Sequence, residues 1–403
     1  SYFIKFYGRD GDQTGQDMVV LPDGTFILFG TTTPSGSNQQ SQWYLVKTDT
    51  KGTVMWEKKF GGPFNEEASD IELTNDGRLV IVGNSFKSPT DRDIFIMTLT
   101  LDGVKIDSTR VGFKNSANQD TDEDALSVSL TNDGFIVAGS SNNTDIKPNP
   151  VANDLRDAIH IRFYNNLLPY PNTWGKTDGP GTYDAALKVI EISPSQYYVF
   201  GYSNKVVPGH AKPDFNYWIF GLGVNGDPNT ADLFIGDIND DEKLSSVSIA
   251  PLQSGDGYFL GGITVQSGAT GVSDIYVSRL RKGLTFSSSD YQFQKPLSVR
   301  LGTKLPEKTS VFASLQSGFY VLANENSFNN DQNWILTKVN NDGSIAWTLP
   351  IVFGGGGLDT CGSVQELPDG RIVLIGTMRT GQPDVGEYKM ALIKVNKDGK
   401  LLN

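Results

Sequence analysis

The stretch that decides the fold is residues 68–83, which read Ala-Ser-Asp-Ile-Glu-Leu-Thr-Asn-Asp-Gly-Arg-Leu-Val-Ile-Val-Gly. An Asn-Asp-Gly turn at 75–77 joins two runs of alternating apolar residues, and Gly83 ends the second run. A further alternating run at 93–99 leads into a second tight turn, Asp102-Gly103. Asp-Gly between alternating runs is a strong hairpin signal, because glycine readily adopts positive φ. The stretch therefore predicts short antiparallel strands joined by hairpins.

The same unit recurs seven times, with a period of about 53 to 62 residues. A glycine that ends the second strand marks six of the units, and an alanine takes its place in the sixth: Gly30, Gly83, Gly139, Gly201, Gly261, Ala323 and Gly376. A repeat of this length made of four strands is typical of a propeller blade. The sequence predicts an all-β, seven-bladed β-propeller of four-stranded antiparallel blades, at about 8–60, 61–111, 112–178, 179–236, 237–301, 302–353 and 354–403 plus 1–7.

The two chain ends supply complementary halves of one unit. The seventh unit lacks a fourth strand, whereas residues 1–7 form a spare one whose Lys5-Phe6-Tyr7-Gly8 ending matches Lys58-Lys59-Phe60-Gly61. We expect the N-terminal strand to complete the last blade, so that one domain spans residues 1–403 without an exposed sheet edge between its ends.

Composition limits the possible partners. The chain has 403 residues, a net charge of -12 and a pI near 4.7, and no basic cluster, which argues against nucleic acid or an anionic membrane surface. Its apolar runs have the length of strands, too short for a transmembrane helix. Cys361 and two histidines cannot form an internal disulfide or a usual zinc site. We expect a monomer that needs no cofactor.

The repeat also carries a family resemblance. Its composite pattern is Phe-Gly-Gly, then Asn-Asp-Gly, a β-strand, Gly, a polar loop, an Asp before the next strand, and Lys-x-Asp/Asn-x-x-Gly. This pattern resembles the blades of secreted and lipid-anchored β-propellers of Bacteroidetes-type bacteria. The resemblance implies an extracytoplasmic location, in the periplasm or on the outer surface, with a lipid anchor as one possibility. It carries no catalytic residues with it.

Seven polar loops connect the second strands to the third strands and differ in every unit. Long variable loops on a rigid scaffold concentrate binding residues. We therefore predict a non-catalytic binding or scaffold module that holds a glycan or a protein at the face of the propeller where these loops lie. Candidate ligand residues are the loop aromatics and one histidine: Phe86, Tyr202, His210, Phe215, Phe328 and Tyr388. The loops are Thr31–Gln42, Asn84–Arg92, Ser140–Arg156, Tyr202–Asn216, Thr264–Ser273, Asn324–Asn333 and Thr377–Glu387.

The six tryptophans fall at repeated strand positions. Trp43, Trp218 and Trp334 belong to third strands, and Trp56, Trp174 and Trp347 are assigned to fourth strands. Packing between blades is the expected role of such repeated aromatics.

Two acidic runs suggest calcium. Asp120, Asp122 and Asp124 alternate in the first run, and Asp237, Asn239 and Asp241 in the second. Oxygen ligands at positions 1, 3 and 5 are how a loop encircles this cation. The second run lacks the glycine at position 6 and the glutamate at position 12. Both runs lie where the chain crosses between blades, and structural capping of this crossing is the competing interpretation.

The alternative function is a carbohydrate-active hydrolase or lyase with carboxylates from several blades at a central pocket. Glu67, Asp124 and Asp184 are assigned to one repeat position near the start of the inner strand. A structural repeat would produce the same pattern. His160 and His210 have no nearby nucleophile in the sequence, and no residue is assigned a catalytic role.

Overall fold

The computed structural model describes residues 1–143, 156–171, 174–176, 182–250, 257–268, 273–281, 291–297, 308–326, 331–381 and 386–402. These ranges contain strands, turns and loops and no helix, so they include no helical segment able to cross a membrane. Their strands form seven antiparallel sheets. The sheets are the blades of a seven-bladed β-propeller, which confirms the predicted fold class.

The first blade has its inner strand in two pieces. After β1 (Phe3–Tyr7), it contains β2 (Asp12–Gln13), β3 (Asp17–Val20), β4 (Phe26–Thr33), β5 (Gln42–Thr48) and β6 (Val54–Phe60). Blade 2 contains β7 (Asn65–Leu73), β8 (Leu79–Ser88), β9 (Asp91–Leu99) and β10 (Lys105–Val111). Blade 3 contains β11 (Glu123–Thr131), β12 (Gly134–Ser141), β13 (Asp157–Tyr164) and β14 (Trp174–Lys176).

The remaining blades repeat this order. Blade 4 contains β15 (Asp184–Ser193), β16 (Gln196–Ser203), β17 (Asn216–Leu222) and β18 (Leu233–Ile235). Blade 5 contains β19 (Asp241–Ala250), β20 (Gly257–Val265), β21 (Ser273–Arg281) and β22 (Tyr291–Leu297). Blade 6 contains β23 (Thr309–Ala313), β24 (Phe319–Asn326), β25 (Gln332–Val339) and β26 (Ile351–Phe353), and blade 7 contains β27 (Thr360–Glu366), β28 (Ile372–Thr380) and β29 (Glu387–Val395).

The N-terminal strand closes the last blade, as predicted. The order in that sheet is β27, β28, β29, β1, and β1 pairs antiparallel with β29 from Phe3↔Lys394 to Tyr7↔Met390. Tyr7 is buried, and its hydroxyl donates to the Gly52 carbonyl at 2.8 Å. The edge of β29 is therefore covered by a strand from the opposite end of the chain.

Five of the marker glycines are required by a close approach inside their own blades. A Cβ at Gly83 would lie 2.0 Å from the Glu67 carbonyl, and one at Gly139 would lie 1.8 Å from that of Asp124. Beside each site the inner strand has a register shift, for example between Ala68 and Asp70, which is a β-bulge. In these five blades a carbonyl of the inner strand faces the second strand, and only glycine leaves room for it.

The Asp-Gly turns adopt the predicted conformation, with one difference. Gly77 and Gly103 have φ of +81° and +72°, as a tight turn with glycine requires. Gly134 instead lies in β12, paired with Thr131, so the turn there consists of Asn132 and Asp133. A Cβ at Gly134 would lie 2.0 Å from the Phe163 carbonyl, which accounts for this glycine.

The chain divides into two compact units. The first comprises residues 1–39, 45–57 and 239–403, and the second comprises 40–44 and 58–238. The predicted single domain and its blade limits stay predictions. Each unit has apolar cores between successive blades, such as one around Ile94, Val128 and Phe163 in the second unit and one around Trp334, Val364 and Ile393 in the first.

The third-strand tryptophans pack as predicted. Trp43, Trp218 and Trp334 are fully buried. Trp43 stacks on Phe95 of blade 2 with ring centroids 4.2 Å apart, so its contact lies between blades. The fourth-strand assignment is wrong for Trp347, which lies in an irregular segment before β26, because that blade's outer strand is only three residues long.

Candidate functional site

Three consecutive blades of the second unit present side chains from one structural position. Strand pairing fixes this position, because a serine two residues beyond each marker glycine pairs with the third strand: Ser85↔Asp93, Ser141↔Asp157 and Ser203↔Asn216. The residue before each partner is Arg92, Arg156 or Phe215. Since the register is the same in each blade, these three side chains lie at the same end of their blades.

Arg92 and Arg156 meet on one carboxylate. Arg92 donates from Nε and one terminal nitrogen to the two Asp122 oxygens at 2.8 and 2.7 Å, and from its backbone N–H at 3.1 Å. Arg156 donates to the same carboxylate at 2.6 Å. Its other nitrogens donate to the Ser140 hydroxyl at 2.8 Å and to the carbonyls of Ser140 and Asp122 at 3.0 Å. Bidentate arginine–carboxylate pairs of this kind fix orientation strongly.

Asp122 is buried, and its charge is maintained by these arginines. Burial alone would raise the pKa of the Asp122 carboxyl, but the hydrogen bonds and positive charges of Arg92 and Arg156 outweigh it and hold the pKa below its usual range. Asp122 therefore stays ionised at neutral pH and keeps both guanidinium groups in place.

Two further acids border this network. Asp124 lies 3.3 Å from a terminal nitrogen of Arg92 and accepts a 2.9 Å hydrogen bond from the Asn84 side chain. The backbone of Glu67 is fixed by Trp43, whose Nε1 donates to the Glu67 carbonyl at 2.9 Å. The Glu67 side chain is exposed. Loss of hydration against the surrounding protein nevertheless raises the pKa of its carboxyl. The positive charge of Arg92 opposes this rise, and the charge of Asp124 adds to it.

Three aromatic rings pack beside the arginines. Tyr183 and Tyr202 lie nearly parallel, with centroids 6.3 Å apart, and Phe215 meets both edge-on at 5.8 and 5.7 Å. All three are half-buried. Burial raises the pKa of both tyrosine hydroxyls, and the negative charge of Asp124 adds to the effect. Both hydroxyls are therefore protonated at neutral pH and able to donate a hydrogen bond.

We call this group the arginine–tyrosine site. It consists of Glu67, Arg92, Asp122, Asp124, Arg156, Tyr183, Tyr202 and Phe215. Apolar ring surface adjoins fixed polar groups, an arrangement typical of small-molecule and saccharide sites.

The structure brings together three of the six predicted ligand residues. Tyr202 and Phe215 belong to the site, and Phe86 lies beside it, with the Arg92 guanidinium 5.9 Å from its ring centroid. Phe86 and Tyr202 were expected in loops but lie in β8 and β16, because these strands continue beyond the marker glycine.

The other three candidates lie elsewhere. Tyr388 is in β29 of the first unit rather than in a loop, and its ring faces Arg379 at 5.6 Å. His210 lies in the irregular segment after β16, with Nδ1 2.6 Å from the buried Asp214 carboxylate. Phe328 is outside the described residues. None of the six positions has been tested as a ligand site, so the assignments stay predictions.

The first acidic run is bound by cations of the protein itself. Asp120 pairs with Lys114 at 3.1 Å, and Asp122 and Asp124 are engaged by the arginines described above. In the second run, Asp237 belongs to the second unit and Asn239 and Asp241 to the first. Asn239 has φ of +65°, and Asp241 starts β19 opposite Val265. Calcium at either run stays a prediction.

One sequence alignment was wrong. Asp184 was assigned to the position of Glu67 and Asp124, but it pairs with Ser203 as Glu66 pairs with Ser85 and Glu123 with Ser141. Asp184 is fully buried and accepts from the Thr182 hydroxyl at 3.0 Å. The residue equivalent to Glu67 in blade 4 is Ala185, so two acids rather than three remain at that position.

Sequence reasoning missed Arg92, Arg156 and Tyr183. The search favoured aromatic residues in loops, whereas these three lie at a strand start or in the crossing between blades. Counting along the sequence could not align the two arginines, because Arg92 follows Gly83 by nine residues and Arg156 follows Gly139 by seventeen. Tyr183 stands directly before Asp184, as Asp122 stands before Glu123.

Solved structures similar to this chain are distant from it in sequence. A protein of unknown function from Dyadobacter fermentans DSM 18053 is 10% identical, with a TM-score of 0.54, and 98% of this chain and 97% of that chain are covered. Drosophila Semaphorin 1a, extracellular domains 1-2, is 8% identical with a TM-score of 0.55, covering 98% and 88%. The Fusarium graminearum α-L-arabinofuranosidase Arb93A is 9% identical with a TM-score of 0.45, covering 97% and 98%. The first two of these similarities show the fold alone.

No protein-family model and no curated protein matches the chain. Of the predicted resemblance to secreted or lipid-anchored propellers, the seven-bladed fold is confirmed, and the secreted or lipid-anchored type stays a prediction.

Proposed function

We propose that this protein is a non-catalytic binding module that holds its ligand, a glycan or a protein segment, at the arginine–tyrosine site. The observation that carries the proposal is the half-buried trio of Tyr183, Tyr202 and Phe215 beside an ion-paired network. Half-buried aromatic rings offer apolar area at a low entropic cost on binding. The network of Arg92, Asp122 and Arg156 holds the neighbouring blades in register, so the site is formed before a ligand arrives.

The test is a glycan microarray probed with the labelled chain and with the double variant Tyr202→Ala, Phe215→Ala. We expect the double variant to lose at least about tenfold in affinity for any glycan that binds, because each ring supplies roughly 1 kcal/mol or more of contact. Tyr164→Ala is the control, since Tyr164 ends β13 and pairs with Gly134, at the opposite end of the strand from the site. Equal binding by all three proteins would refute the site.

A hydrolase or lyase is the second candidate, favoured by the raised pKa of Glu67, which lies near the Asp124 side chain. A raised pKa lets a carboxyl hold its proton to higher pH, as a general acid requires. The inner-strand acids of blade 2 fit this role less well, because Lys188 engages Asp70 at 3.4 Å and Glu72 at 2.9 Å. Reducing-sugar release from pooled polysaccharides, abolished by Glu67→Gln, would support catalysis. Release no faster than in buffer would exclude it for those substrates.

We further propose an extracytoplasmic location, with lipid anchoring as one means of attachment. Its support is compositional: an acidic chain rich in Asn, Ser, Thr and Gly, with a repeat that resembles exported bacterial propellers. Fractionation of the producing cells tests it, and recovery of the protein with cytoplasmic markers would contradict it.

A further inference from the structure

The arginine–tyrosine site presents hydrogen-bond acceptors to a ligand. Among the described residues, no group donates a hydrogen bond to the Glu67 carboxylate or to the Tyr183 hydroxyl, and Asp124 uses one carboxylate oxygen for its contacts with Asn84 and Arg92. An ionised carboxylate can accept hydrogen bonds but cannot donate them. A ligand that bonds to these two carboxylates must therefore bring donors of its own.

The arginines of the site are already occupied. Each of the three Arg92 guanidinium nitrogens contacts a carboxylate oxygen of Asp122 or Asp124. Arg156 uses all three of its nitrogens on Asp122 and Ser140. An incoming carboxylate or sulfate would have to displace Asp122, which is buried. Recognition of an acidic ligand by these guanidinium groups is thereby disfavoured.

The balance of charge points the same way. Two guanidinium groups face the carboxylates of Asp122, Asp124 and Glu67, which leaves at most one negative charge in a chain whose net charge is -12. Such a site repels an anion and attracts a single cation weakly, because its charges are paired at short range. A neutral ligand with many hydroxyl groups pays the smallest electrostatic cost.

We infer that the site takes a neutral saccharide, with sugar hydroxyls donating to Glu67 and Asp124 and the apolar C–H face of a ring resting on Tyr202 and Phe215. This inference rests on the proposed binding function and narrows its ligand class. It separates three groups of ligand: neutral oligosaccharides, acidic oligosaccharides such as oligogalacturonate or sialyllactose, and lysine-rich peptides.

The experiment is titration calorimetry of the full chain with three probe sets at pH 7. The sets are cello-, malto-, xylo- and arabino-oligosaccharides, the two acidic sugars, and a trilysine peptide. We expect measurable binding in the first set. Glu67→Gln should weaken it about tenfold, because a charge-assisted hydrogen bond is lost. The control is Asp102→Asn, because Asp102 is an exposed acid in the turn after β9, at the opposite end of that strand from Arg92.

The outcomes test the ligand class and the location of the site separately. Tighter binding of the acidic sugars or of trilysine, lost in Tyr202→Ala, would keep the site but overturn the neutral-saccharide inference. Neutral binding that Tyr202→Ala and Glu67→Gln leave unchanged would overturn both the inference and the proposed site. Failure of all three sets to bind would overturn the inference, and the microarray with its double variant would then decide the proposed function. The circular dichroism spectrum of each variant shows whether it is folded.

Discussion

Blades 2 and 7 place an arginine and an aromatic ring opposite each other at the same register position, yet they use the pair differently. In blade 2, Phe86 pairs with Arg92, and in blade 7, Arg379 pairs with Tyr388. The guanidinium–ring distances are 5.9 and 5.6 Å. The Arg92 side chain reaches the Asp122 carboxylate, whereas Arg379 donates to the Gly386 carbonyl of its own hairpin at 3.3 Å.

The crossing into the next blade explains the difference. The backbone N–H of Arg92 donates to Asp122, and that of Tyr388 donates to Asp12 at 2.9 Å, so the two acids are equivalent. Asp122 is buried under two arginines, but Asp12 is exposed. Near Asp12, the Lys389 ammonium donates to the Gly11 carbonyl at 2.7 Å and to the Gln13 side chain at 3.0 Å. Blade 7 uses this position for closure, and blade 2 uses it for an ion-paired network.

The largest expected effect concerns closure. Deleting residues 1–7 removes β1, exposes the edge of β29 and uncovers the apolar surface that Tyr7 covers. We expect the unfolding free energy to fall by about 5 kcal/mol, or the Tm by roughly 10 °C. Calorimetry measures both. The control deletes Ser1 and Tyr2 alone, which precede β1 and should change little. An unaltered Tm in the longer deletion would refute closure by pairing.

The second effect concerns the two equivalent acids. Asp122→Asn leaves two guanidinium groups without a carboxylate, and we expect a loss of about 2–3 kcal/mol, less than for a fully dry pair because Arg92 is partly exposed. Asp12→Asn keeps the single backbone hydrogen bond at an exposed site and should cost about 0.5 kcal/mol or less. Urea unfolding compares them. Equal losses would mean that the ion-paired network adds nothing to blade 2.

The sequence predicted more of the fold than of the site. The period, the Asp-Gly turns and the spare N-terminal strand predicted the seven blades and the closure, because these depend on local patterns that repeat. Tyr202, Phe215 and Phe86 were named from the sequence as ligand residues, and in that role they stay predictions. Arg92 and Arg156 were not named, because their role depends on which side chain the next blade supplies, and that is a tertiary contact. Counting register from the bulge, rather than from the turn, would have placed Asp184 correctly.

A smaller effect separates the residues after these acids. Glu123 follows Asp122 and is fully buried, with hydrogen bonds from Thr121 at 2.6 Å and Ser141 at 2.7 Å. Gln13 follows Asp12 and is bonded to Thr32 at 3.2 Å. Burial raises the pKa of the Glu123 carboxyl despite its hydrogen bonds. Its contribution to stability is therefore complete below the unfolded pKa and is lost as pH rises through the folded pKa.

Glu123→Gln should remove this pH-dependent loss of stability, because it introduces the non-titrating residue type that blade 1 has at Gln13. We expect the variant to equal the wild type near pH 4 and to exceed it by about 1 kcal/mol at pH 7. Urea unfolding at both pH values measures the difference. Gln13→Ala tests the matched position in blade 1 and should destabilise equally at both pH values, since no titrating group is removed. A Gln variant that is less stable at pH 7 would show that the hydrogen bonds outweigh burial.

The smallest expected effect is that of calcium on the acidic run of blade 3. Calcium takes six to eight oxygen ligands, whereas the two Asp122 oxygens already accept from Arg92 and Arg156. Adding EDTA, or about 5 mM calcium to cover weak sites, should therefore move the Tm by no more than about 1 °C through this run. A larger shift that persists in Asp120→Asn but disappears in Asp241→Asn would assign calcium to the second run. A Tm shift that only Asp120→Asn abolishes would contradict this expectation, because it would assign calcium to the run whose Asp122 oxygens already accept from arginines.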